Sequence, residues 1–262
     1  MNTEALDLSI LGPAFLAGVL VLATHVPLGI QVLRRGIVFI DLAIAQVAGL
    51  GVIAADALGW EPQGWAVQAA ALTAALLGAL LLTWTERRWP AIQEALIGSL
   101  FVLSASGATL LLAGNPHGGE HLKDLLVGQI LWVSDAQLLS MGLVTAAVLG
   151  VWLAARRNLG RIGFYLAFAL SVTASVQLVG IYLVFASLIL PALAVRRLRR
   201  GALPVAYAIG VAGYALGLTA SALLDLPTGP VTVWALGASA IAIAWVPIAK
   251  PAVEAAPDQA PI

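Results

Sequence analysis

The stretch from Arg34 to Gly51, RRGIVFIDLAIAQVAGLG, decides how this chain is read. Two arginines precede a long apolar run, and Asp41 is the only charge inside that run. A helix this apolar belongs in a bilayer, where a carboxylate at mid-depth costs on the order of 2.5–3.5 kcal/mol on insertion scales. Asp41 lies six residues past Arg35, roughly 9 Å along a helix, so its cost is smaller than at mid-depth. It still requires a partner or a water-filled cavity. Two readings are open: Asp41 lines a path for cations, or it pairs with an arginine at the same end of the helix.

The rest of the chain agrees about the solvent. Of 262 residues, 61% are hydrophobic and only 10% charged, whereas about a quarter of a soluble domain is charged. Apolar runs recur at about 9–33, 37–55, 65–84, 91–113, 138–155, 163–180, 181–195, 202–223 and 230–248. The expected fold is an all-α polytopic membrane bundle of about nine segments. The sixth and seventh runs nearly abut at Gly180. They are one bent segment, or a short helix followed by a re-entrant piece. Residues 1–250 are expected to form one transmembrane domain, and the Pro- and Ala-rich 251–262 a disordered cytoplasmic tail. The N-terminal residues lack the basic region of a cleaved signal peptide, so the first run is read as a retained helix.

Orientation follows from the cations. Arg34-Arg35, Arg87-Arg88, Arg156-Arg157 with Arg161, Arg196-Arg197 with Arg199-Arg200, and Lys250 all fall on one side of nine spans, and only Lys123 on the other. Basic loops are cytoplasmic, which puts the N-terminus outside and the C-terminus in the cytoplasm of a multi-pass protein of the cell inner membrane. Trp60, Trp65, Trp132 and Trp234 then lie near outer ends and Trp84, Trp89, Trp152 and Trp245 near inner ones, as aromatic belts do. The outer loops carry Asp56, Glu61, Glu120, Asp124, Asp135 and Asp225. That charge attracts cations, or it is ordinary solvated loop charge.

Few residues could carry chemistry. The chain has no cysteine, which excludes disulfides, thiolate ligands and a cysteine nucleophile. His25 sits deep in the first span, where it is a structural hydrogen-bonding group or a metal ligand. Pro27, two residues on, frees a backbone carbonyl of the preceding turn. His117 and His121 are four apart in an outer loop with Glu120 and Asp124. That is a metal-ligand spacing if the segment is helical, although Gly118 and Gly119 intervene. Ser171, Thr173, Ser175 and Gln177, and likewise Ser99, Ser104, Ser106 and Thr109, line polar pathways or glue helices together. Gly213 and Gly217 form a GxxxG with Gly210 and Ser221 near the same stripe, suited to close packing within the subunit or across a dimer. No phosphate-binding Gly-rich loop, G-x-S-x-G or H-E-x-x-H is present, so the chain is not read as an enzyme. An intramembrane enzyme would require the histidines and carboxylates to converge.

Several stretches, in order, resemble a known family. PLGIQVLRRGIVFIDLAIAQ is similar to its first signature, and QEALIGSLF to its acidic–Ile-Gly segment through Glu94, Ile97 and Gly98. LLVGQILWVSDAQL, VQLVGIYLVFASLILPALAVRRL and LTASALLDLPTGPVTV are similar to three later ones, through Gly180, Pro191, Ala192, Ser221, Asp225, Pro227, Gly229 and Pro230. The family is the permease subunits of ABC importers for zinc, manganese and iron, the zinc/manganese permease type or ABC-3 family.

The resemblance implies a membrane subunit that dimerises, as a homodimer. It also implies a cytoplasmic ATP-binding subunit, an extracytoplasmic metal-binding protein that delivers the ion, and no nucleic acid. The divalent metal is the cargo, and no cofactor is held permanently. Asp41 matches the family's acidic residue near the translocation path. The metal-site candidates are therefore Asp41, Gln46, His25, His117, Glu120, His121 and Asp124. Two departures stand out. The family places a His four residues after the Asp, where this chain has Ala45 followed by Gln46, a weaker ligand than imidazole. After Arg157 the family has a longer cytoplasmic stretch with a short helix that docks on the ATPase. Here RRNLGRIGFYL runs almost directly into the next span. Coupling would then use another loop, at Arg87–Gln93 or Arg196–Gly201, or the protein is a transporter or channel uncoupled from any ATPase.

Overall fold

A computed structural model describes residues 7–61, 64–112, 126–154, 160–198 and 200–244. The helices are α1 (Leu8–Arg35), α2 (Ile40–Ala57), α3 (Trp65–Arg88), α4 (Gln93–Leu112), α5 (Asp135–Ala154), α6 (Arg161–Ala194), α7 (Ala202–Leu224) and α8 (Thr228–Ala244). Single 3-10 turns at Pro90–Ile92 and Ile130–Trp132 precede α4 and α5. Seven of the helices are long and apolar enough to cross a membrane, and α8 is shorter. Each apolar run of the sequence falls on one of these helices, two of them on α6. The tail at 251–262 lies outside the described residues.

The helix ends obey local chemistry. Asp7 caps α1, its Oδ1 accepting from the Ser9 amide at 2.8 Å, which satisfies one of the free N–H groups of the first turn. Gly36 ends α1 in the left-handed region at φ 70, a conformation that costs glycine no Cβ clash. Pro90 starts the turn into α4, where a missing N–H is harmless.

The central element is α6. Of the membrane-length helices it is the most deeply buried and α5 the least, so α6 is the hub and α5 a peripheral helix. α6 packs on α1, α2, α3, α5, α7 and α8. It joins a group made by α2, α3 and α4 to another made by α1, α7 and α8.

α6 is not one straight rod. Gly180 inside it has φ 78 and ψ 163, a region essentially reserved for glycine. Near its start, Phe164 lies under the guanidinium of Arg35, 4.0 Å from ring centroid to Cζ. Near its end, Ala192 lies 3.3 Å from where a Cβ on Gly29 would be. A straight helix would separate residues 164 and 192 by about 42 Å, whereas residues 29 and 35 of α1 are only about 9 Å apart. The chain therefore folds back at Gly180, and both ends of α6 lie toward the arginine-bearing end of α1. Of the two readings left by the sequence, the turned-back form is the one found.

The GxxxG of α7 works within the subunit. A Cβ on Gly213 would lie 2.5 Å from Leu236, and one on Gly217 2.5 Å from the Cα of Thr232, both in α8. A Cβ on Gly210 would meet Leu22 of α1 at 2.5 Å. The stripe lets α7 approach α8 and α1 closely, as small residues do in lipid.

Candidate functional site

Asp41 is the second residue of α2, held there by the four-residue turn that follows Arg35. It is buried, at 1% exposure. Neither carboxylate oxygen has a hydrogen-bond partner, and no ion pair reaches Asp41 among the described residues. Arg35, the nearest cation in sequence, is committed to the face of Phe164. The pairing with an arginine that the sequence left open is not made by any described arginine. Burial acts most strongly on the carboxylate, against its charge, and the amides of Leu42 and Asp41 at its own helix end act the other way. Free N–H groups and the positive dipole end of a helix favour a negative side chain there. These amides offset part of the cost of burying the carboxylate, and neither oxygen is taken by another side chain.

Gln46 is also buried, at 5%. At 100° per residue it is turned about 140° from Asp41 around the helix, whereas Ala45 is turned only about 40°. Ala45 thus occupies the family's histidine position on the stripe of Asp41, and it is buried too. His25 is fully buried in α1. Its Nδ1 lies 2.9 Å from the Val21 carbonyl and 3.1 Å from Thr24 Oγ1. Its Nε2 has no partner. An Nδ1–H donated to Val21 O leaves the Nε2 lone pair free, the arrangement of a ligating imidazole. His25 is ten residues from the end of α1, and Asp41 one residue from the start of α2, so the two differ in depth by roughly 13 Å. Among the described residues no three His, Asp or Glu side chains gather into a metal shell. His117, Glu120, His121 and Asp124 lie outside the described residues.

The polar residues within spans divide. Ser99, Thr109 and Ser171 each donate to the carbonyl four residues back, at 2.8, 2.9 and 2.9 Å. They satisfy themselves in their own helix and glue nothing. Thr145, Thr173, Ser175, Thr232 and Ser239 keep buried hydroxyls without partners.

Pro27 does free a carbonyl. Lacking N–H, it cannot bond Ala23 O, and Tyr207 Oη of α7 donates to that oxygen at 2.9 Å. Nearby, Tyr214 Oη and Ser187 Oγ lie 2.9 Å apart, joining α7 to the returning half of α6.

A layer of polar contacts that sequence reasoning missed lies at the arginine end. Gln93, 4% exposed, accepts from Thr85 Oγ1 at 3.0 Å and donates to Leu82 O at 3.0 Å and Tyr165 Oη at 3.5 Å. Arg161 pairs with Glu86 at 3.8 Å. Glu94 Oε1 accepts from the amide of Val38. The sequence singled out Glu94 through its family-like segment, but nothing in it pointed to Val38, Thr85, Leu82 or Tyr165 as partners.

The model of the ABC 3 transport family matches residues 7–169 and 157–246, and the chain belongs to that family. Its fold is shared with PsaBC from Streptococcus pneumoniae, solved in complex with Fab, at TM-score 0.74 and 20% identity over 94% of this chain and 96% of that one. It is shared too with a structure described as an inward-facing conformation of a metal-chelate type ABC transporter, at TM-score 0.66 and 16% identity over 88% and 84%. No curated protein matches the chain.

Proposed function

We propose that this chain forms the translocation path of an ATP-driven importer of a divalent metal, zinc, manganese or iron. Its partners are a cytoplasmic ATP-binding subunit, an extracytoplasmic metal-binding protein and a second copy of itself. The arginine-bearing end is cytoplasmic and the N-terminus outside. One observation carries the reading: Asp41, buried with both oxygens unpartnered. An unpaired carboxylate in a bilayer-embedded bundle is stabilised when a cation passes it.

Deleting the chromosomal copy and measuring uptake of Zn²⁺, Mn²⁺ and Fe²⁺ by the cells tests this. Loss of uptake of one of them, restored by the wild-type chain, is expected. Unchanged uptake of all three overturns the reading.

A second reading has one specific observation behind it. Only residues 155–160 separate α5 from α6, and the family match breaks into two pieces meeting at 157–169. A chain short at this point lacks room for a docking helix there, which favours a transporter uncoupled from any ATPase. Metal uptake that survives depletion of cellular ATP, with the membrane potential clamped, would favour it.

A further inference from the structure

We infer that Glu94 is a positioning residue for Asp41, acting through the turn between α1 and α2; the inference rests on the metal-importer reading above. The turn has little to fix it from within. Phe39, at the N-cap of α2, makes no side-chain cap. The helix therefore begins without the usual serine, threonine or aspartate to hold its first amides. The missing acceptor comes from elsewhere. Glu94 of α4, 56 residues away, takes the Val38 amide on Oε1. Val38 directly precedes the N-cap, and Asp41 follows it by three residues.

Glu94 is itself held. Its neighbour Gln93 is bonded to Thr85 and Leu82 of α3 and reaches Tyr165 of α6. The start of α4 is thus fixed to two helices before it reaches out to a third. The second oxygen of Glu94 is buried and unpartnered, so the residue is not there for solvation or for pairing with an arginine. A carboxylate accepting a backbone N–H across such a distance in the chain sets where α2 starts, and hence where the Asp41 oxygens sit. Small displacements of a ligand weaken its encounter with an ion without touching the ion's charge.

The test separates geometry from charge. Chromosomal Glu94→Ala, Glu94→Gln and Glu94→Asp are compared in intact cells, with Mn²⁺ and Zn²⁺ as probes and the amount of chain in the membrane measured in each. Glutamine keeps an acceptor oxygen at the same reach, and aspartate keeps the charge but withdraws it by one methylene. Glu94→Ala and Glu94→Asp are expected to raise the half-saturating metal concentration by about tenfold, the worth of one charge-assisted hydrogen bond. Maximal uptake per molecule should change less than about twofold, and Glu94→Gln should stay within about threefold of wild type. If the alanine variant is lost from the membrane, the glutamine–aspartate pair decides alone. Equal damage in glutamine and aspartate, no damage in any variant, or loss of maximal rate at unchanged half-saturation overturns the inference. Absence of wild-type uptake of every metal overturns the importer reading instead.

Discussion

Gly180 and Gly128 meet backbone to backbone. A Cβ on Gly180 would lie 2.4 Å from the Gly128 nitrogen, and one on Gly128 2.2 Å from the Val179 carbonyl carbon. Both glycines have positive φ, at 78 and 72. The reversal of α6 is thus seated against residues 126–128, and Gly229 at the start of α8 packs on the same segment, its Cβ position 2.4 Å from Val127 O.

Gly180→Ala combines a disfavoured backbone conformation with a clash against backbone that cannot rotate away. It should destabilise the subunit by at least about 3 kcal/mol. In detergent, the melting temperature of the purified chain should fall sharply or monodisperse protein should be lost. A variant that melts with wild type would show that the reversal does not need glycine.

Tyr207→Phe should cost about 1–2 kcal/mol, because it leaves the half-buried Ala23 carbonyl without its donor. The defect originates in Pro27. In a Pro27→Ala background the alanine amide can bond Ala23 O, and Tyr207→Phe should then cost markedly less. Thermal melts of the four chains form a double-mutant cycle. Additive costs would mean that Tyr207 does not serve the proline's orphan.

Gly217→Val places a branched side chain against Thr232 and should destabilise the single subunit by about 1–3 kcal/mol or more. The melting transition should drop equally at high and low protein concentration. A concentration-dependent loss would indicate an inter-subunit role for the stripe.

Asp41→Asn removes the charge and keeps the shape. Metal uptake should fall at least tenfold, while abundance in the membrane holds and the melting temperature stays level or rises, since an unpaired buried charge is a net cost to the fold. Unchanged uptake would remove Asp41 from the path. A large fall in melting temperature would mean that it holds structure instead.

The spans were legible because bilayer helices announce themselves by length and apolarity. Even the break at Gly180 shows as two runs with glycine between them. The turn-back itself was not legible, since it depends on Gly29, Gly128 and Arg35 meeting α6 in space. Asp41 was legible as an oddity, but only the structure shows Arg35 stacked on Phe164 and the carboxylate left unpaired. Pro27 foretold a freed carbonyl without naming Tyr207 as its partner. Glu94 gave no sign of its bond to Val38, because a contact spanning 56 residues leaves no local periodicity. The intra-subunit use of Gly213 and Gly217 was likewise undecided, as small-residue stripes serve both kinds of interface.

The fold-back of α6 has a consequence for biogenesis. Past Arg161 the helix carries no charged residue up to Ala194, and its returning part, residues 181–194, rises about 21 Å, short of the roughly 30 Å hydrocarbon layer. A nascent chain leaving the insertion channel offers no charge to mark the bend. The second half can lean on Gly29 of α1 at once, but its bond to Tyr214 of α7, which also packs on Gly18, forms only once that residue has emerged. Nascent chains stalled with residues 181–194 outside the ribosome and Tyr214 still inside it should therefore display this segment unsettled and open to protease, and chains stalled with Tyr214 released should display it protected.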